Sequence, residues 1–216
     1  TRSRQVTGVQ TCALPISFLR HSTSKIKSVE DLFTVTSLGF RGEALSSIAA
    51  VSQVELITKT NGDFTGSRYL IEGSKEVSLE EIGAPDGTTF IIRNLFYNTP
   101  ARKKFLKSAQ IEGTYIHELM QRMILSHPDV AFKFIMNNQV KLQSSGNGNI
   151  KDIIYHLYGR DITKALLPIA HESELFKVSG FIGKPMISRG NRGYELYFVN
   201  GRFIRSQILS KAIEDA

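Results

Sequence analysis

Cysteine is all but missing: Cys12 stands alone among 216 residues, so an internal disulfide is excluded. Neither it nor the five histidines, His21, His117, His127, His156 and His171, falls at zinc spacing, and no pair of them points to nucleophilic catalysis. Long apolar runs are absent too. The uncharged stretches fall short of the roughly 18 residues a membrane span needs, and no signal segment follows a basic start. These absences predict a cytoplasmic protein without a membrane partner or a structural metal, held together by packing. Two nucleotide signatures are also missing, the G-x-x-x-x-G-K-[ST] loop and the G-x-G-x-x-G turn.

What is present is ordinary globular material. The chain is 41% hydrophobic and 22% charged, long enough for one large or two modest domains. A net charge of +7 and a pI near 9.5 favour an anionic partner. Arg2 and Arg4 supply two of those charges, and without them the balance falls from +7 to +5. From charge alone, a solvated basic surface and a nucleic-acid surface are equally good readings.

Residues 1–17 show no apolar period of 2 or 3.6, so they are expected to be a non-native or disordered leader. The run Val6, Thr7, Gly8, Val9, Gln10, Thr11, Cys12, Ala13, Leu14, Pro15, Ile16 resembles the conceptual translation of a high-throughput sequencing adapter.

Beyond it the pattern alternates helix and strand. Ser28 with Asp31 three residues on predicts a capped short helix before Leu32 and Phe33. From Glu43 onward, Leu45, Ile48 and Ala49 share a helical face. Residues 54–59, 68–72 and 88–93 are β-branched strands separated by Asn61, Gly62 and by Asp86, Gly87. Thr99 with Pro100 predicts a capped helix. Ile116, Leu119, Met120, Met123 and Ile124 predict a longer one that lies flat on a sheet and stops before Pro128. A hairpin turns at Asn137 and Asn138. Residues 144–149 carry pure loop chemistry, which places a domain boundary at 146–147. After it come a helix over 150–158, strands over 176–182 and 194–199, a turn at Asn200 and Gly201, and a helix from Ser206.

The sharpest feature is Gly39, Phe40, Arg41, Gly42, Glu43, Ala44, Leu45, a glycine-bracketed loop running into a helix. Glycines let backbone amides approach an anion, and the helix start adds its positive dipole end. Such a turn is also common packing hardware, and the residues alone favour that reading slightly while leaving the phosphate reading open.

This loop, continued by Ser46, Ser47, Ile48, Ala49, Ala50, Val51 and Ser52, resembles the signature of the MutL family of DNA mismatch repair proteins, within the GHKL class of ATPases. Three further blocks resemble that family in order: Arg20, His21, Ser22, Thr23, Ser24, Lys25, Ile26; then Gly87, Thr88, Thr89 with residues 94–106; then Phe198, Val199, Asn200, Gly201, Arg202. The resemblance implies an α+β fold: part of a GHKL-type α/β sandwich over 18–146, then the start of a smaller transducer domain over 147–216. It implies an ATP pocket edged by Thr23, Ser24 and Lys25. Gly39, Arg41, Gly42, Glu43, Ala44 and Leu45 form its lid, and Thr88 helps to hold the adenine. By itself Thr88 reads as a strand residue.

Arg102, Lys103, Lys104 and Lys107, with Arg202 and Arg205, are the expected DNA-binding cations, although a solvated helix face and a hairpin tip remain the plain alternatives. The resemblance further implies a Mg²⁺ ion, a homodimer formed with ATP, and mismatch-recognition and downstream repair partners near the bacterial nucleoid. The family's catalytic Glu, magnesium-binding Asn and adenine-reading Asp are expected upstream of Arg20, so this chain holds no catalytic residue and is expected to be inactive alone. Other readings are a non-enzymatic DNA-binding module and a topoisomerase-type GHKL subunit. The Pro100, Ala101, Arg102 block argues against the latter.

Overall fold

The computed structural model describes residues 14–26, 28, 30–31 and 38–215. They fall into two compact units, Thr1–Leu106 and Lys107–Ala216. The expected helix after Ser28 lies mostly outside the described residues. One half of its cap is visible: the Ser28 amide donates to Asp31 Oδ2 at 3.0 Å.

The first unit is built on one antiparallel sheet. Strands β1 (Gln53–Lys59), β2 (Gly66–Glu72), β3 (Lys75–Ile82) and β4 (Gly87–Arg93) lie in the order β3-β2-β1-β4. Leu56 sits opposite both Tyr69 and Phe90, and Val54 opposite Ile71 and Ile92. The two-residue period therefore sends Val54, Leu56, Tyr69 and Ile71 to one face. There they form a core with Ala49 of helix α2 (Ala44–Ala50), flanked by the partly buried Leu45 and Ile48. Burial of each large side chain contributes about 1.5–3 kcal/mol. On the opposite face Glu55 accepts hydrogen bonds from Arg68 at 2.7 Å and Arg93 at 2.9 Å. Those two arginines, Arg93 first, hold its carboxyl below the usual carboxylate range.

Strand β3 is absent from the expected set. Glu76, Glu80 and Glu81 give it the composition of a solvated segment, and it is an edge strand that spends charge on solvent. The chain enters it through Gly73 and Ser74, both at positive φ (54° and 68°).

The leader also differs from expectation where it is described. Leu14–Ser17 forms a helical turn, α1, in which Leu14 is fully buried, and Phe18, four residues on, packs its ring 5.5 Å from Tyr69. An i, i+4 pair puts both apolar side chains on one side, which suffices to join them to the core. Helix α3 (Pro100–Lys103) starts at Pro100 as expected, but Thr99 makes no capping hydrogen bond and its hydroxyl is buried without a partner.

The second unit has strands only in pairs: β5 (Lys133–Met136) with β6 (Gln139–Gln143), β7 (Leu166–Glu172) with β8 (Lys177–Gly183), and β9 (Tyr197–Val199) with β10 (Arg202–Ile204). Asn137 and Asn138, at φ 52° and 59°, make the expected turn between the first pair. Helix α4 (Ala109–Ser126) is capped by Ser108 and ends at His127, before Pro128. Its expected flat seat on a sheet holds only in part. Gly113 and Ile124 are buried, whereas Ile116 and Leu119 are exposed, because α4 meets the helix over Ile150–Tyr158 and the narrow β5, β6 and β10 and not a wide sheet.

Residues 144–149, expected to link two domains, lie inside the second unit. They are fastened there: Ser144 Oγ donates to Val130 O at 3.2 Å, the Gly148 amide to Pro128 O at 2.9 Å, and Asn149 caps helix α5 (Ile150–Tyr158). Helix α6 (Arg160–Lys164) follows, and helix α7 (Gln207–Glu214) closes the unit, capped by Ser206.

Candidate functional site

The glycine loop ends where α2 begins. Glu43 occupies the N-cap position without a side-chain cap bond, and its carbonyl accepts from Ser47 N at 3.0 Å and Ser46 Oγ at 2.9 Å. Its carboxylate turns back instead to His21, with Oε1 3.0 Å from Nδ1. Gly42 is at φ +65°, and any side chain there would collide with the backbone of Ser22. Only glycine fits on both counts, since the left-handed region and the missing space each exclude a Cβ.

Two sequence-distant blocks thus meet at one place. The segment carrying Thr23, Ser24 and Lys25 lies against the loop carrying Gly39, Arg41, Gly42, Glu43, Ala44 and Leu45. Within the first, Thr23 Oγ1 accepts from the Lys25 amide at 3.2 Å. Lys25 and Arg41 are exposed, and the Arg41 guanidinium lies 5.7 Å from the centre of the Phe40 ring. Leu45 and Ala44 already belong to the helix, and Leu45 packs on the core.

The other end of α2 is gripped by a third block. Phe96 N donates to Val51 O at 2.7 Å and Asn98 Nδ2 to Ala50 O at 2.9 Å, while the residue-73 turn binds Ser52 O and Ala49 O. Asn94 and Phe96 adopt φ of 53° and 62° to make this strap. Sequence reasoning singles out residues 94–106 as a motif but misses this role. The signal is the placement of Asn98, whose amide reaches a helix-end carbonyl.

Thr88 is on β4, opposite Thr58, with the two hydroxyls 2.9 Å apart. That contact ties it to the sheet and not to the loop. Arg102 and Lys103 form the last turn of α3 and Lys104 its C-cap, all exposed, in the first unit. Lys107, Arg202 and Arg205 are in the second. The Lys107 amide donates to Glu112, Arg202 opens β10 half-buried, and Arg205 is exposed beyond it. The turn between β9 and β10 is formed by Asn200 and Gly201 at φ 49° and 76°, and Arg122 of α4 lies 4.4 Å over the ring of Phe203 behind it.

Each histidine has a local neighbour. His21 meets Glu43, His127 meets Ser126 at 2.7 Å, and His117, His156 and His171 pack beside Phe134, Tyr155 and Phe176. Among the described residues no three His, Cys, Asp or Glu side chains are grouped to hold a metal ion, and no helix is long and apolar enough to cross a membrane.

Comparison with solved structures places the fold. The chain superposes on the Aquifex aeolicus MutL ATPase domain complexed with ADP with a TM-score of 0.67 at 23% identity, covering 88% of this chain and 71% of that one. It matches the N terminal domain of a DNA repair protein with a TM-score of 0.74 at 21% identity, over 96% and 66%. The class is therefore a mixed α+β fold shared with the ATPase domain of a MutL protein.

Sequence takes the assignment further. The DNA mismatch repair protein MutL of Agathobacter rectalis is 66% identical over 209 of the chain's 216 residues, 97% of this chain and 32% of that protein, so the match runs into the 1–17 segment. MutL of Caldanaerobacter subterraneus subsp. tengcongensis is 43% identical over 201 residues, 93% of this chain and 34% of its own length. The family model described as DNA mismatch repair protein, C-terminal domain, matches residues 154–216. The chain belongs to the MutL family of DNA mismatch repair proteins, and it spans about a third of the length of the curated relatives it matches.

Proposed function

We propose that this chain carries the lid side of an ATP pocket and that its parent protein is an ATP-switched, dimerising clamp acting on DNA in mismatch repair. The observation that carries this reading is Gly42, left-handed and packed so closely on Ser22 that no side chain fits. A backbone turned that way exposes successive amides in place of side chains, which is what close approach to phosphate oxygens requires. Exposed Arg41 and Lys25 add positive charge beside it. The loop's one carboxylate, Glu43, is engaged with His21 and does not crowd an anion's place.

The residues present thus fit the triphosphate end of ATP. Arg41 orients it, the amides of residues 39–45 bind it, and Thr23, Ser24 and Lys25 border it. Thr88, whose hydroxyl sits on the sheet beside Thr58, is assigned to the adenine. That the Aquifex ATPase domain is complexed with ADP supports an adenine nucleotide as the ligand. A Mg²⁺ ion bound with the nucleotide would neutralise phosphate charge, its protein ligand lying outside these residues.

In the whole protein, residues 18–146 belong to the ATPase domain and 147–216 to the transducer domain. The family model beginning at residue 154 supports that boundary, which differs from the contact-based division after Leu106. DNA is contacted through Arg102, Lys103, Lys104, Lys107, Arg202 and Arg205. Mismatch-recognition and downstream repair proteins are the other partners, and the protein works in the cytoplasm at the nucleoid.

Photocrosslinking of radiolabelled ATP to the complete protein tests the pocket. Labelling falls by at least an order of magnitude in Gly42→Val and in Arg41→Ala, and unchanged labelling in both would remove the lid assignment. The 216-residue chain itself shows no ATP turnover above background. Turnover that disappears in Glu43→Gln would make Glu43 the base and overturn that part of the reading.

A further inference from the structure

Glu43 is the only acid in residues 32–54, and Arg41 is the only cation. Left to itself, that carboxylate would cancel the loop's one positive charge. It is answered from outside the loop. Glu43 stands at the N-cap of α2 yet makes no side-chain cap bond, and its Oε1 lies 3.0 Å from His21 Nδ1. His21 reaches it from a left-handed backbone, φ 60°, a region that a residue with a side chain enters at a cost. The next residue, Ser22, is the one whose backbone walls in Gly42, so two neighbouring contacts, Ser22 with Gly42 and His21 with Glu43, join the pocket edge to the loop. Both side chains of the second contact face solvent, and an exposed pair of this kind adds little to stability. A strained backbone and a forgone cap, kept for so weak a bond, point to where the carboxylate is placed and not to what the bond contributes to folding.

We propose that His21 is a positioning residue that sets the pocket's preference for a nucleoside triphosphate over a diphosphate, by drawing the Glu43 carboxylate to itself and leaving the charge of Arg41 to the phosphates. This rests on the ATP-lid reading above and deepens it. A carboxylate released within the loop repels every phosphate charge brought to it, so the penalty is heavier for ATP than for ADP. A contact that only stiffened the loop would weaken both nucleotides alike.

The test measures, by titration calorimetry on the complete protein, the affinities for a non-hydrolysable ATP analogue and for ADP, and takes their ratio. His21→Gly removes the imidazole and at the same time relieves the left-handed backbone, so any loss of binding is not due to added strain. It lowers the triphosphate-to-diphosphate ratio roughly threefold to tenfold. His21→Asp, which tolerates positive φ and sets a second negative charge beside Glu43, lowers the ratio at least as far. His21→Asn keeps it, since asparagine also tolerates positive φ and its Nδ2 stands one bond beyond Cγ, as Nδ1 does in histidine. In the His21→Gly background the further change Glu43→Gln restores the ratio, because no charge is left to repel the phosphates. A ratio unchanged in both His21→Gly and His21→Asp, or one that Glu43→Gln fails to restore, overturns the positioning role while the ATP pocket stands. An equal loss of both nucleotides makes the contact structural and overturns it too. If the wild type binds neither nucleotide, the ATP reading itself falls.

Discussion

Strands β1 to β4 share one sheet, and β1 and β2 share one core, whereas β5 to β10 are joined only two by two. In the first unit Leu14, Leu56 and Ala49 are sealed from solvent, and both central strands contribute to the same cluster. In the second, burial is scattered over Ile124, Ile153, Ile154 and Ala165, and the hairpin β7/β8 leaves Leu167, Val178 and Ile182 exposed. An isolated pair of strands is marginal in water, so the second unit draws its order from helices α4 and α5 and from local caps. The difference teaches where tolerance to change resides. The glycine loop rises from the tightly packed unit, and a loop held by a stiff base keeps its shape at lower cost.

The strongest way to break that contrast is at its centre. Leu56→Ala, removing the side chain that faces Tyr69 and Phe90, costs about 2–5 kcal/mol, read from urea unfolding by circular dichroism. Ile153→Ala in α5 costs less, and a larger loss there would reverse the comparison. Caps sharpen it further. Asn149 accepts from Lys151 N at 3.1 Å and Asp152 N at 3.3 Å, so Asn149→Ala costs about 1 kcal/mol and loosens the second unit first, seen as faster amide exchange in α5. Thr99→Val, by contrast, is neutral or stabilising, because its buried hydroxyl has no partner to lose.

Titration gives a gentler handle on the first unit. Burial, then the hydrogen bond with Glu76, pushes the Tyr69 phenol up to about 12. A raised folded value means its contribution is complete below the ordinary phenol range and is lost as pH rises towards 12, so alkaline unfolding of the wild type is steeper than that of Tyr69→Phe. Glu55 runs the other way. Its depressed folded value stabilises at pH above the ordinary carboxylate range and is lost as pH falls through the lowered one, and Glu55→Gln flattens that acid limb. This is the smallest effect, since Arg68 and Arg93 remain partly in solvent.

Much of this contrast is legible in the residues. β1, β2 and β4 follow from β-branched runs between turn signals and α4 from its apolar period, and α5 and α7 lie where helices are expected, while the caps Ser108, Asn149 and Ser206 emerge only from the structure. β3 is hidden because glutamates on an edge strand carry no strand propensity of their own. Strand β7, with Pro168 in its run, is hidden for the reason that proline is confined to edge strands. In the site, the glycine pattern of residues 39–45 announces a special backbone. The meeting of Gly42 with Ser22 and the bond from Asn98 to Ala50 span too much chain for local pattern to reveal.

Helix α2 is seven residues long, about 10 Å end to end, with the loop at one tip and the residue 94–98 strap at the other. So short a rod bends little, and hydrogen bonds clamp its far end at Ala50 and Val51. The loop and the segment leading into Arg102 are thereby fixed to opposite ends of one short helix. Two motifs that look separate in the chain meet at the two ends of one helix.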